Sequence, residues 1–128
     1  MFSMTYVYLT IFAIIGAFSR YGQTLAVQAV LGRDFPWATL SVNVLGCFLM
    51  GFLFFATLDR VTISPELRTG ILTGGLGAYT TFSTFSVETL NLFETGEPLK
   101  AVLYVGGSVA LCLIGVFLGA YLSRNIGV

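Results

Sequence analysis

Seven consecutive residues, Thr80-Thr81-Phe82-Ser83-Thr84-Phe85-Ser86, set five hydroxyls and two aromatic rings within an otherwise apolar chain. A Ser or Thr in an apolar helix usually satisfies itself on the carbonyl one turn back. Five hydroxyls in seven residues exceed what such packing requires. At helical spacing Thr80, Thr84 and Val87 share one face, Ser83, Ser86 and Leu90 a second, and Phe82, Phe85 and Thr89 a third. Two phenylalanines three apart are ordinarily core or lipid contacts. An aromatic ring, however, is negative on its face and positive at its edge. Ring edges beside hydroxyls therefore suit an anion, as ring faces suit a cation. Asn43 adds two amide donors and is the only Asn deep inside an apolar run. Its ordinary role would be a hydrogen bond between helices.

Two ionisable residues, Arg20 and Glu88, also lie inside apolar runs. Charges in such places are expensive and are functional candidates by default. Arg20 either snorkels toward an interface or raises the anion concentration at a vestibule. Glu88 follows Thr84 by one turn and either accepts a hydroxyl bond or serves as a proton-coupling carboxylate. That second role defines an alternative reading, a proton-coupled small exporter. A non-transporting assembly subunit, held together by glycine-mediated packing, is a third. The chain has no His, so imidazole metal binding and imidazole acid–base chemistry are excluded. Cys47 and Cys112 sit in apolar runs and read as small packing residues rather than a disulfide or a metal site.

The elements that must carry these groups follow from composition. The chain has 128 residues, 56% hydrophobic and 9% charged, with a mean hydropathy of +0.91. Soluble domains carry about 25% charged residues, so much of the solvent of this chain must be lipid. Six basic and six acidic residues cancel, which argues against nucleic acid as a partner. No Lys or Arg precedes Arg20, so the first apolar run lacks the basic region of a signal peptide and is expected to remain in the protein.

A membrane-spanning helix needs about 20 apolar residues. Four stretches qualify, Thr5–Leu31, Trp37–Leu58, Leu67–Phe93 and Leu99–Ser123, with short polar breaks between them. The expected fold class is an all-α membrane protein, one transmembrane domain over 1–128. Four spans put both termini on one side. Arg60, Arg68 and Arg124 then lie on that side, and Arg33 and Lys100 on the other. So even a split does not select an orientation. Either a single charge or an insertion factor decides, or both orientations insert and pair as an antiparallel dimer. Gly70-x-x-x-Gly74 and Gly115-x-x-x-Gly119 have the spacing of close helix contacts. Glycine weakens helix interiors by about 1 kcal/mol, so Gly74-Gly75-Leu76-Gly77 is expected to break the third span, the alternative being that these glycines only let helices cross. Backbone groups freed by a break must be satisfied by protein, water or an ion.

Three segments carry a resemblance to a known family: Gly16-Ala17-Phe18-Ser19-Arg20-Tyr21, then Pro36 through Gly46 continuing to Gly51, and Gly74-Gly75-Leu76-Gly77-Ala78-Tyr79 leading into the Thr80–Ser86 run. Over essentially its full length the chain resembles the Fluc (CrcB) family of small fluoride channels. The resemblance implies four transmembrane helices with a broken third, in an antiparallel dual-topology homodimer with two pores. It implies passive export of fluoride across a bacterial inner membrane, and no enzymatic activity. It also implies a structural Na⁺ at the dimer centre, held by the backbone carbonyls of Gly77 and Thr80 of both subunits. Phe82, Phe85 and Asn43 match pore residues, and Arg20 the first-helix arginine. Tyr104 and Ser108 match polar positions on the fourth helix, and the Ser83 and Thr84 hydroxyls complete the anion path. Ile14, Ile15 and Ala78 stand where relatives often carry Gly. Cys112 stands where a hydroxyl can occur, and no pore role is carried onto it.

Overall fold

The structure, a computed structural model, describes residues 3–126. Helix α1 (Met4–Leu31) starts where the Ser3 side chain accepts from the Thr5 N–H at 3.2 Å, and ends at Gly32, whose φ of +76° lets its N–H return to the Gln28 carbonyl. Helix α2 runs over Trp37–Asp59. The third apolar stretch is a chain of pieces: α3 (Pro65–Thr69), a π-helical segment Gly70–Leu76, α4 (Gly77–Tyr79) and α5 (Phe82–Glu94). Helix α6 (Pro98–Asn125) opens on a proline, which at a first turn forfeits an N–H that had no partner anyway. Among the described residues α1, α2 and α6 are each long and apolar enough to cross a membrane, and all regular structure is helical.

The interruption falls later than the sequence suggested. The expected break at Gly74–Gly77 stays helical, and the chain leaves the helix at Thr80 (ψ 161°) and Thr81 (φ −151°). The reason is packing. A Cβ on Gly16 would collide with the Gly75 carbonyl, one on Gly70 with Tyr8, and one on Gly74 would come within 2.9 Å of the Leu9 carbonyl. The glycines are used to seat the π segment on α1, and the wider π turn absorbs the local mismatch. Crossing, the alternative role, is what they perform.

Helices α2 and α6 pack along each other, as do α1 and the π segment. Gly51, Gly115 and Gly119 make the first contact close, Gly115 bringing its Cβ position 3.2 Å from the Val44 carbonyl. Two apolar clusters result. Val42, Leu72, Leu76 and Tyr79 lie before the break, and Phe85, Leu92, Ala101 and Tyr104 after it. The break is thus clamped on both sides, which holds an irregular backbone in one geometry.

At one end of the bundle three arginines close the helix termini. Arg60 donates to the carbonyls of Arg124 and Ile126. Arg68 donates to Thr57 Oγ1 at 2.8 Å and the Phe54 carbonyl at 2.9 Å, and Arg124 lies over the Phe55 ring at 4.1 Å. Cations at helix C-termini meet the negative end of the macrodipole, so these charges have structural partners as well as any topological influence.

Candidate functional site

Leaving the helix at Thr80 and Thr81 frees backbone groups, and three of them are met by side chains from other helices. Asn43 on α2 bridges Thr81 both ways: Nδ2 donates to the Thr81 carbonyl at 2.9 Å and Oδ1 accepts its N–H at 2.8 Å. Arg20 on α1 donates from Nε to the Ala78 carbonyl at 3.2 Å. The Thr80 hydroxyl donates back to the Leu76 carbonyl at 2.9 Å. No hydrogen bond across the break, among the described residues, ends on the carbonyl of Gly77 or Thr80. Gly77 is also exposed on this single chain.

Thr81 then starts α5. Its hydroxyl accepts from the Thr84 N–H at 3.2 Å and donates to Thr84 Oγ1 at 3.0 Å, with Ser83 Oγ 3.3 Å away. The first turn of α5 therefore points unpaired N–H groups and a positive dipole end toward the break. Phe82 is 78% exposed there, whereas Phe85 is 9% exposed. Their ring centroids lie 5.3 Å apart, and Phe85 lies 5.0 Å from Tyr104. Phe85 is thus held by its neighbours while Phe82 is free to meet a ligand or a second chain.

A groove of about 320 Å³ runs past these rings, walled by Asn43, Thr80, Thr81, Phe82, Phe85 and Ser108 together with apolar side chains and both cysteines. The Ser108 hydroxyl, buried here, has no hydrogen-bond partner among the described residues. A buried unpaired hydroxyl costs about 1–3 kcal/mol and marks a place where a ligand, a water or a partner chain supplies the bond.

A second cavity of about 290 Å³ shares Thr81 with the groove and is walled by Arg20, Thr39, Thr84 and Glu88. A third, of about 250 Å³, shares Glu88 and reaches Arg33 and Asp34 at the loop after α1. Tyr104 lies outside all three, behind Phe85, and its hydroxyl donates to Glu88 at 2.9 Å. Thr39 walls the same cavity as the carboxylate. The expected acceptor role of Glu88 is present, with Tyr104 as the donor in place of Thr84.

The structure therefore gathers the sequence-derived residues in three places. Phe82, Phe85, Asn43 and Ser108 share the groove with Thr80, and Thr84 and Arg20 share the cavity behind it. Ser83 sits exposed at the head of α5, Tyr104 supports Phe85 and Glu88, and Gly77 lies on the exposed side of the break. A polar thread escaped the reading of the sequence. Gln23 accepts from the Tyr79 hydroxyl and donates to Ser41 Oγ at 3.1 Å, tying α1, α2 and α4 together. Its signal was available: Gln23 is one helical turn from Arg20, a second polar group on one apolar face.

A family model described as "CrcB-like protein, Camphor Resistance (CrcB)" matches residues 7–120. Among similar proteins is the "Fluoride-specific ion channel FluC" of Acidithiobacillus ferrooxidans, 65% identical over 121 residues, 94% of this chain and 97% of its own. Its namesake in Magnetococcus marinus is 51% identical over 88% of this chain and 91% of its own length. That of Geobacter sulfurreducens is 47% identical over 92% and 95%.

Proposed function

This chain belongs to the CrcB family, a multi-pass membrane family whose relatives are channels, and from that premise we propose that it conducts fluoride passively through the groove at the head of α5. One observation carries the reading. The groove combines the Phe82 and Phe85 rings, the unpartnered Ser108 hydroxyl and the positive end of α5 in one place. Fluoride is small and strongly hydrated, so its dehydration must be offset by close donors. Hydroxyls, the second Nδ2 proton of Asn43 and ring edges are donors of that kind, and a narrow path would also exclude chloride by size. The direction of benefit is export from the cytoplasm of a bacterium, across its inner membrane.

On this reading the pieces from Pro65 to Glu94 make the third of four crossings, and two copies pair antiparallel to give two pores. Two features support pairing. Phe82 and Gly77 are exposed beside the break, and no hydrogen bond across the break, among the described residues, ends on the Gly77 or Thr80 carbonyl. Bare carbonyls suit a hard monovalent cation, so Na⁺ between two such breaks would supply positive charge where the backbone offers only oxygen. The residues present fit it: Asn43 and Arg20 occupy the neighbouring Thr81 and Ala78 carbonyls, leaving these two available.

Fluoride efflux from liposomes holding only the purified protein tests this, with chloride as control. Efflux well above that of empty liposomes is expected, with chloride retained. Phe82→Ile and Phe85→Ile each remove an electropositive ring edge from the anion path, so efflux should fall well below that of the parent. Chloride leaving as fast as fluoride would sink the selective channel. Efflux that follows an imposed pH gradient and vanishes in Glu88→Gln would instead support the proton-coupled exporter.

A further inference from the structure

Cys47 and Cys112 occur in different apolar runs, yet the fold brings them together. Gly115, one turn beyond Cys112 on α6, lets that helix lie so close to α2 that its Cβ position is 3.8 Å from Cys47 Cβ. Both thiols are free, and both wall the groove that holds Phe82, Phe85 and Ser108. Cys112 is one turn from Ser108 on the same face of α6. Two thiols that wall one groove from two closely packed helices can act together as a bidentate ligand.

We propose that Cys47 and Cys112 form a two-coordinate site for a soft divalent cation, and that a cation held there closes the groove to fluoride. The second half rests on the fluoride reading above. Ligand type selects the cation: thiolates favour soft ions, whereas hard ions require oxygen ligands. Ligand number narrows it. Among the described residues no group of three or more His, Cys, Asp or Glu side chains converges, so a tetrahedral zinc centre lacks ligands. Charge narrows it again. Two thiolates on a divalent ion make a neutral unit, and a neutral unit suits a groove whose walls are largely apolar, where a net charge would be costly. Mercuric ion is the probe with these properties. Supplied as neutral HgCl₂, it reacts with two S–H groups to form two S–Hg bonds, releasing two protons and two chlorides, with no change of oxidation state.

The test uses the full chain, in detergent for binding and in liposomes for efflux. Titration with HgCl₂ should consume both thiols at one mercury per chain and raise the ultraviolet absorption of a bis-thiolate. Cys47→Ser and Cys112→Ser each leave a single ligand, so a competing monothiol should strip mercury at about a hundredfold lower concentration than from the parent. Cys47→Ala and Cys112→Ala serve where a Ser variant does not fold. Two mercuries per chain, or equal retention by the single variants, overturns the site. Loaded parent protein should lose its fluoride efflux and regain it with a dithiol chelator, while the double Cys47→Ser/Cys112→Ser variant keeps its own mercury-free rate. Stoichiometric binding with undiminished efflux overturns the block. Mercury-free efflux reports separately on the channel reading, so failure of either idea is distinguishable from failure of the other.

Discussion

At the scale of single residues, Asn43 does two things with one amide. Its side chain satisfies both backbone groups of Thr81, and Asn43 and Thr81 both wall the groove. Asn43→Ala should therefore lose more than a pore donor. Leaving two backbone groups unpaired at the break should lower stability by about 2 kcal/mol, read as earlier thermal aggregation in detergent, with fluoride efflux lost as well. Asn43→Asp separates the two effects of charge and shape. A carboxylate can still accept the Thr81 N–H but repels the Thr81 carbonyl, so this variant should be no more stable than Asn43→Ala. An Asp variant with parental stability and efflux would show that the Nδ2 bond to Thr81 is unimportant. Arg20 has a comparable duty, since its Nε bond to Ala78 ties α1 to the break. Arg20→Lys keeps the charge and forfeits that planar donor. If the positive field is what matters, efflux survives in Arg20→Lys and falls in Arg20→Gln. Equal losses in both would assign Arg20 to holding the break.

At the scale of elements, the glycines sort into those that are crossed and those that are not. Gly16→Ala drives a methyl into the Gly75 carbonyl, backbone that cannot rotate away. Overpacking of this kind costs about 1–3 kcal/mol, so the variant should lose folded protein on gel filtration. Gly22, on the same helix, has nothing within 4 Å of a Cβ, so Gly22→Ala should be neutral or stabilising by up to about 1 kcal/mol. A Gly22→Ala variant as damaged as Gly16→Ala would mean that helix propensity along α1, not its crossing with the π segment, dominates. This contrast explains what the sequence could and could not reveal. Long apolar runs ending in Gly32-Arg33-Asp34 or at Pro98 made the long helices legible, because length and end signals are local. The break was legible in kind but not in place. Glycine density pointed to Gly74–Gly77, while the true interruption depends on Asn43 being across from Thr81 and on Gly16 across from Gly75, both pairings that exist only after α1 and α2 have packed. Ile14 and Ile15 illustrate the same point, since both are 54% exposed and Gly16 beside them makes the crossing. The Cys47–Cys112 pair was illegible for this reason too: 65 positions separate residues that one close glycine contact brings together.

At the scale of the whole molecule, the single chain leaves the head of α5 partly uncovered. Phe82 is exposed where it walls the groove, and no hydrogen bond across the break, among the described residues, ends on the Gly77 or Thr80 carbonyl. If two antiparallel copies close over these features around one Na⁺, the ion binds only the dimer. Linkage then requires that Na⁺ stabilise the assembly by an amount set by its concentration relative to its dissociation constant, about 2.7 kcal/mol at a hundredfold excess. It also requires that the effect on oligomeric state be largest at low protein density, because the folded reference is a pair of chains. The expected result is that replacing Na⁺ with a bulky organic cation shifts the protein toward monomer on gel filtration at low concentration, and less so at high concentration. A Na⁺ effect independent of protein concentration would place the ion within one chain, and no effect at all would remove it from the account. Orientation gives the independent check: a tag at the N-terminus should be reachable by an impermeant reagent from both faces of sealed native vesicles. Labelling from one face alone would leave the groove to be covered by parallel copies. The unpaired carbonyls of two breaks could then no longer face each other across a twofold axis lying in the membrane plane, and the shared cation would lose its site.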